Sequence, residues 1–151
     1  MEWNDQLVLF GRIALATLLG FAIGLEREYR GKSAGDRTFA LLALGSAAFV
    51  GLGVELFPAS ADRVIQGVAA GVGFLGAGII FRGNRANEPR GLTTAAASWA
   101  VAAIGALTGA GVYWVPILTT ALAIAVLESG QLPYIRRIGR NHARSDDEGE
   151  R

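Results

Sequence analysis

Residues 91–127 read GLTTAAASWAVAAIGALTGAGVYWVPILTTALAIAVL, thirty-seven consecutive positions without a charge. One helix of that length would run roughly 55 Å at ~1.5 Å per residue, whereas a bilayer core of ~30 Å takes about 20 residues. The block is too long for one crossing and fits two. The break belongs at Thr108-Gly109-Ala110-Gly111, where two glycines permit a tight turn. Pro116 then falls in the first turn of the second helix, where its missing N–H costs little.

The same pattern extends towards the N-terminus. Leu7–Leu25 is nineteen residues with one charge, Arg12, and Phe39–Phe57 is nineteen with one charge, Glu55. Val64–Phe81 is eighteen residues with none. A soluble domain of 151 residues would alternate apolar and polar positions, but this chain, 52% hydrophobic, gathers its apolar residues in blocks. The expected fold is all-α: an integral membrane bundle of five transmembrane helices over residues 1–128. Residues 129–151 form a charged cytoplasmic tail, with a basic part able to lie on anionic lipid and a disordered acidic end, Asp146-Asp147-Glu148.

Orientation follows from Lys and Arg in the connecting segments. Their numbers run 0, 4, 1, 3, 0, 5 from the N-terminal segment to the tail. This alternation places the N-terminus outside and the C-terminus in the cytoplasm. Glu2 and Asp5 stand where a signal peptide would carry basic residues, so the first helix is read as retained. Trp3, Phe57, Tyr113 and Trp114 then fall near the outer interface, which favours aromatic side chains.

Several chemistries drop out. The absence of cysteine removes disulfides, thiolate metal sites and a Cys nucleophile. A net charge of +1 gives no reason to expect nucleic acid as a partner. The single histidine, His142, lies in the polar tail and reads as a solvated residue, so no nucleophile–base pair is available and the chain is not read as an enzyme. Gly31-Lys32-Ser33 lacks the earlier glycine and the strand that a phosphate-binding loop needs, because position 26 is Glu. Gly71-Val-Gly-Phe-Leu-Gly76 satisfies GxGxxG, but inside an apolar span with no preceding strand.

Those glycines have a plainer use. Gly67 and Gly71 recur four residues apart, as do Ala69, Gly73 and Ala77, and Gly76 and Gly78 lie further along the same span. Small residues at that spacing let helices approach closely in lipid. The fourth span is rich in alanine, so the third and fourth spans are expected at the centre of the bundle, and small-residue faces are expected to support a homo-oligomer. A functional alternative uses the bare backbone carbonyls as ion ligands. Arg12 lies about six residues inside the outer boundary, with Glu55 and Gln66 near the same end of their spans. An intramembrane arginine needs a partner or a route to water; the two readings are an Arg12–Glu55 pair and an Arg12 that snorkels outward.

The densest charge is in residues 24–38, GLEREYRGKSAGDRT. Glu26 and Glu28 stand four residues before Arg30 and Lys32, the spacing of ion pairs on a continuing helix. Asp36 is placed to offset the positive end of the second span. By topology Arg90, Thr93 and Thr94 lie at the same face. Glu26, Arg27, Glu28, Lys32, Asp36, Arg37, Thr38, Arg90, Thr93 and Thr94 therefore form one candidate polar cluster. It reads either as a self-neutralising loop, as a buried network fixing one helix arrangement, or as the gate of a cation path with Glu26 and Asp36 as metal ligands. The interiors of the spans contain no Asp, Glu, Lys or His, which counts against a carboxylate-based carrier.

Gly24-Leu-Glu-Arg-Glu28, Gly31-Lys32, Ala34-Gly-Asp-Arg-Thr38, Gly73-Phe-Leu-Gly-Ala-Gly78 and Arg90-Gly-Leu-Thr-Thr-Ala-Ala96 resemble the motifs of the MgtC/SapB family of bacterial membrane proteins, in order and spacing, over roughly residues 7–128. The resemblance implies a bacterial inner-membrane location and a link to growth in low magnesium and, in some pathogens, to survival inside macrophages. Two functions follow from it: Mg2+ transport or a channel, or regulation of another membrane complex such as ATP synthase. Longer members carry an ACT-like C-terminal domain, and this sequence is read as a short form without it.

Overall fold

The computed structural model describes residues 1–82 and 91–130. Five α-helices follow one another: α1 (Trp3–Tyr29), α2 (Asp36–Leu56), α3 (Ala61–Arg82), α4 (Leu92–Gly109) and α5 (Trp114–Ser129), with a 3-10 turn at Pro58–Ser60 before α3. Arg90, His142 and nearly all of the charged tail lie outside the described residues.

Four helices are long and apolar enough to cross a membrane, and α5 is a shorter apolar helix of 16 residues. At ~1.5 Å per residue α5 covers about 24 Å, short of the ~30 Å core. The thirty-seven-residue block does divide where its glycines fall, but unequally. Large apolar side chains face outward, among them Phe10, Leu18, Phe74, Phe81 and Leu122. A soluble protein does not spread so many over every helix, and the chain is a multi-pass membrane protein.

Both helix ends that matter for the polar clusters close in the same way. Gly31 (φ 63°) follows α1 and Gly111 (φ 86°) follows α4, each in the left-handed region. At α1 the Gly31 N–H donates to the Glu28 carbonyl and the Lys32 N–H to the Arg27 carbonyl; at α4 Gly111 donates to Thr108 and Val112 to Leu107. These paired bonds satisfy last-turn carbonyls and stop the helix. Lys32 is therefore not on a continuing helix.

The core runs through α1, α2 and α4. Ala16, Ile23, Phe39, Ala43, Ala47, Val101 and Ile104 are fully buried there. Glycines set the close approach. A Cβ on Gly105 would lie 2.5 Å from the Ala43 carbonyl oxygen, one on Gly109 would strike the Ala47 carbonyl, and one on Gly20 would lie 2.6 Å from the Phe39 carbonyl. This corrects the expected centre. Of the four long helices α4 is the most buried, as expected, but α3 is the least and α2 takes its place. Gly67, Gly71, Gly73 and Gly78 have open space where a Cβ would be, and Gly76 meets only the Ala95 methyl at 3.6 Å. Within one chain the α3 glycines do not carry the packing.

Candidate functional site

The charged residues from the last turns of α1 to the start of α2 separate into two sets. Arg27 is 3% exposed and Glu26 8%. The Arg27 guanidinium donates Nε–H to Glu26 Oε2 at 2.6 Å and Nη2–H to Glu26 Oε1 at 2.9 Å. Two parallel charge-assisted bonds from a planar fork are the strong form of such a pair. Arg30, one turn along, brings Nε to 3.8 Å from Glu26 Oε1 and donates Nη2–H to Glu128 at the end of α5. Glu26, Arg27, Arg30 and Glu128 thus balance to zero charge, joining the end of α1 to the end of α5. Two guanidinium nitrogens, Arg27 Nη1 and Arg30 Nε, are buried without a hydrogen bond.

Glu28 belongs to the second set. It turns away from Lys32 and accepts the Asp36 backbone N–H on Oε2 at 3.2 Å. Gly35, the residue before α2, leaves room for this carboxylate, since a Cβ there would collide with it. Asp36 Oδ1 accepts the Arg37 N–H at 2.6 Å. Both carboxylates serve the free amides at the start of α2, where negative charge is favoured. The expected Glu28–Lys32 pair is absent because α1 stops at Gly31. Lys32, Arg37 and Thr38 are exposed, and the ion pairs found among the described residues include neither Lys32 nor Arg37.

Thr94 is buried and Thr93 exposed at the start of α4. Most hydroxyls within the spans turn back to their own helices: Thr17 to Ile13, Ser98 to Thr94, Thr108 to Ile104, Thr119 to Val115 and Thr120 to Pro116. Among the described residues no group of three or more His, Cys, Asp or Glu gathers in a way that could hold a metal ion. Glu26 is taken by two arginines and Asp36 by a backbone amide, so the two proposed metal ligands are engaged elsewhere.

At the opposite end Arg12 Nη1 lies 2.9 Å from Glu55 Oε1. Arg12 also donates Nε–H to the Tyr113 hydroxyl and Nη1–H to the Gly109 carbonyl, both at 3.4 Å. The arginine thereby joins α1, the end of α2 and the α4–α5 turn. Its side chain is 16% exposed and that of Glu55 30%. For partly exposed pairs the net value is modest, and Glu55→Gln is expected to lower stability by about 1 kcal/mol or less, read by thermal unfolding in detergent. A much larger loss would show that the pair is dry in the membrane.

Sequence reasoning missed Glu128 and the use of Glu28 as a cap. Glu128 carried one signal: by topology it is the charge on the last span nearest the face that holds Arg30.

The model of a family described as the MgtC family matches residues 13–132. The chain is 43% identical over 137 residues to the protein SrpB of Synechococcus elongatus, covering 82% of this chain and 75% of that protein. It is 42% identical over 127 residues to the protein MgtC of Brucella abortus, covering 83% of this chain and 52% of the relative. It is 46% identical over 96 residues to the protein MgtC of Salmonella typhimurium, covering 64% of this chain and 41% of the relative. The chain thus spans about half or less of the length of these MgtC relatives and three quarters of SrpB. No solved structure matches the chain.

Proposed function

The chain belongs to the MgtC family, and from that premise we propose that it is a non-catalytic regulatory membrane protein in magnesium homeostasis, which binds and modulates another membrane complex instead of carrying ions. The observation that carries this reading is the closure of the Glu26–Arg27–Arg30–Glu128 cluster upon itself. A cation entering there would have to displace two arginines from one carboxylate. The span interiors supply no acid to receive it next, and most of their hydroxyl protons are directed at their own backbones.

All five helices cross the bacterial inner membrane, with the N-terminus outside and the Glu26 cluster at the cytoplasmic face. The alternation of basic residues supports this orientation. The protein forms a homo-oligomer through the side of α3 bearing Gly73, an exposed glycine where a second helix can come close. The partner complex is a membrane assembly of the ATP synthase type, met through outward-facing apolar side chains.

The test is Mg2+ entry into liposomes that hold the purified protein and an entrapped indicator, beside Glu26→Gln. The expected result is entry no faster than into empty liposomes for both proteins. Entry above that level, lost in Glu26→Gln, would overturn the regulatory reading in favour of Mg2+ transport through the cluster.

A further inference from the structure

A furrow of about 950 Å³ lies between α2 and α3. We propose that it seats one anionic phospholipid, with an acyl chain along the groove and its phosphate at Arg37.

The shape comes from glycine. Gly45 on α2 and Gly67 and Gly71 on α3 line the groove, and none has an atom within 4 Å of where a Cβ would sit. Bare backbone on facing helices leaves a slot that side chains would otherwise fill. The volume lies in the range of ligand sites, roughly 300–1,000 Å³, and the lining is mainly apolar. Along α2 the lining runs from Arg37 to Phe49. Twelve residue steps at ~1.5 Å make about 18 Å, close to the ~15 Å of one leaflet's hydrocarbon.

The chemistry is graded along that length. The lining at one end is Ser33, Arg37 and Thr38, two hydroxyls and a guanidinium. Deeper positions are Leu41, Gly45, Phe49 and Leu75, with Ser46 and Ser98 the only hydroxyls among them. Neither nearby carboxylate is paired with these cations: Glu28 and Asp36 accept backbone amides, while the side chains of Lys32 and Arg37 are exposed and enter none of the ion pairs found among the described residues. An apolar slot ending in basic and hydroxyl groups matches a phosphodiester on a hydrocarbon tail, and basic pockets between membrane helices recognise such headgroups. A transmembrane helix of a second copy would bring apolar surface to Arg37 and leave it without a counter-charge. The inference stands apart from whether the chain carries ions.

The test is native mass spectrometry of the full chain released from bilayers of equal phosphatidylglycerol and phosphatidylcholine. Wild type is expected to retain one lipid and to prefer phosphatidylglycerol. Arg37→Gln should lower that preference about fivefold, the scale of one basic side chain against an anionic headgroup. Gly45→Leu, built into open space, should fill the slot and abolish retention of either lipid while the bundle stays folded. Equal retention of both lipids by wild type, or a preference untouched by Arg37→Gln, overturns the proposal. A third arm uses the absence of native cysteine. Leu41→Cys placed in the furrow should form no disulfide-linked dimer on oxidation in the membrane; efficient disulfide dimers would show that a second copy occupies the groove and would also overturn it.

Discussion

Arg27→Met is expected to destabilise the chain by about 3–5 kcal/mol, because it leaves Glu26 buried without its main partner. The Glu26 carboxylate accepts both bonds of the guanidinium fork and is only 8% exposed. Arg30 at 3.8 Å offers part of the lost attraction, which places the effect towards the lower end of that range. The double variant Glu26→Gln, Arg27→Met should recover most of the loss. Removing both charges removes the cost of holding either out of water, and such replacements are often neutral or better. The recovery separates a buried pair from a packing defect, since methionine alone would leave the same gap in both proteins. Thermal unfolding of the two variants in one detergent reads this directly. If the double variant were no more stable than Arg27→Met, the loss would lie in packing, and the charge argument would fail.

The cluster has a mechanical meaning as well. Glu26 and Arg27 are adjacent on α1, so their bond alone joins nothing. Arg30 gives it reach by bonding Glu128 at the far end of α5. Glu28 does the same for α2 through the Asp36 amide. One turn of α1 therefore fixes the ends of two other helices. A partner that pulled on α5 would act on Arg30 and, through Glu26, on the buried Arg27. That is a route by which a binding event could be sensed without an ion crossing.

How much of this the sequence disclosed depends on the range over which each feature is decided. Helix number and the break at Gly109–Gly111 follow from uncharged runs, which are local and long. Arg12 and Glu55 could be set side by side because each is the only charge in its span and both lie near one end. Glu28 was misjudged for a local reason: its partner at four residues is useful only if the helix continues, and Gly31 ends it. Glu128 lay ninety-eight residues from Arg30, and spacing along the chain says nothing about that pair. The role of the glycines was the least legible. Gly67, Gly71 and Gly73 in α3 look in sequence like Gly20, Gly105 and Gly109, yet only the latter three face another backbone. Small residues state that an approach is allowed, and the neighbouring helix decides whether it occurs.

Alanine at Gly105 and at Gly73 should therefore give effects of opposite sign. Both glycines lie inside helices, where alanine is intrinsically favoured by about 1 kcal/mol. At Gly73 nothing lies within 4 Å of the new methyl, so the propensity gain stands and stability rises by up to that amount. At Gly105 the methyl would sit 2.5 Å from the Ala43 carbonyl oxygen, 2.9 Å from Ser46 Cβ and 3.1 Å from Ala43 Cα. Backbone cannot rotate aside as a side-chain tip can, so α4 must move off α2. Overpacking of this kind costs about 1–3 kcal/mol, occasionally more, and here it acts at the most buried helix. A net loss of about 2 kcal/mol is expected for Gly105→Ala, read as thermal unfolding in detergent. Cross-linking in intact membranes then reads a different property of Gly73→Ala. If α3 pairs with a second copy at that face, the methyl weakens the oligomer while the monomer gains. If Gly105→Ala were as stable as Gly73→Ala, α2 and α4 would not be in backbone contact, and the bundle centre would have to be drawn elsewhere.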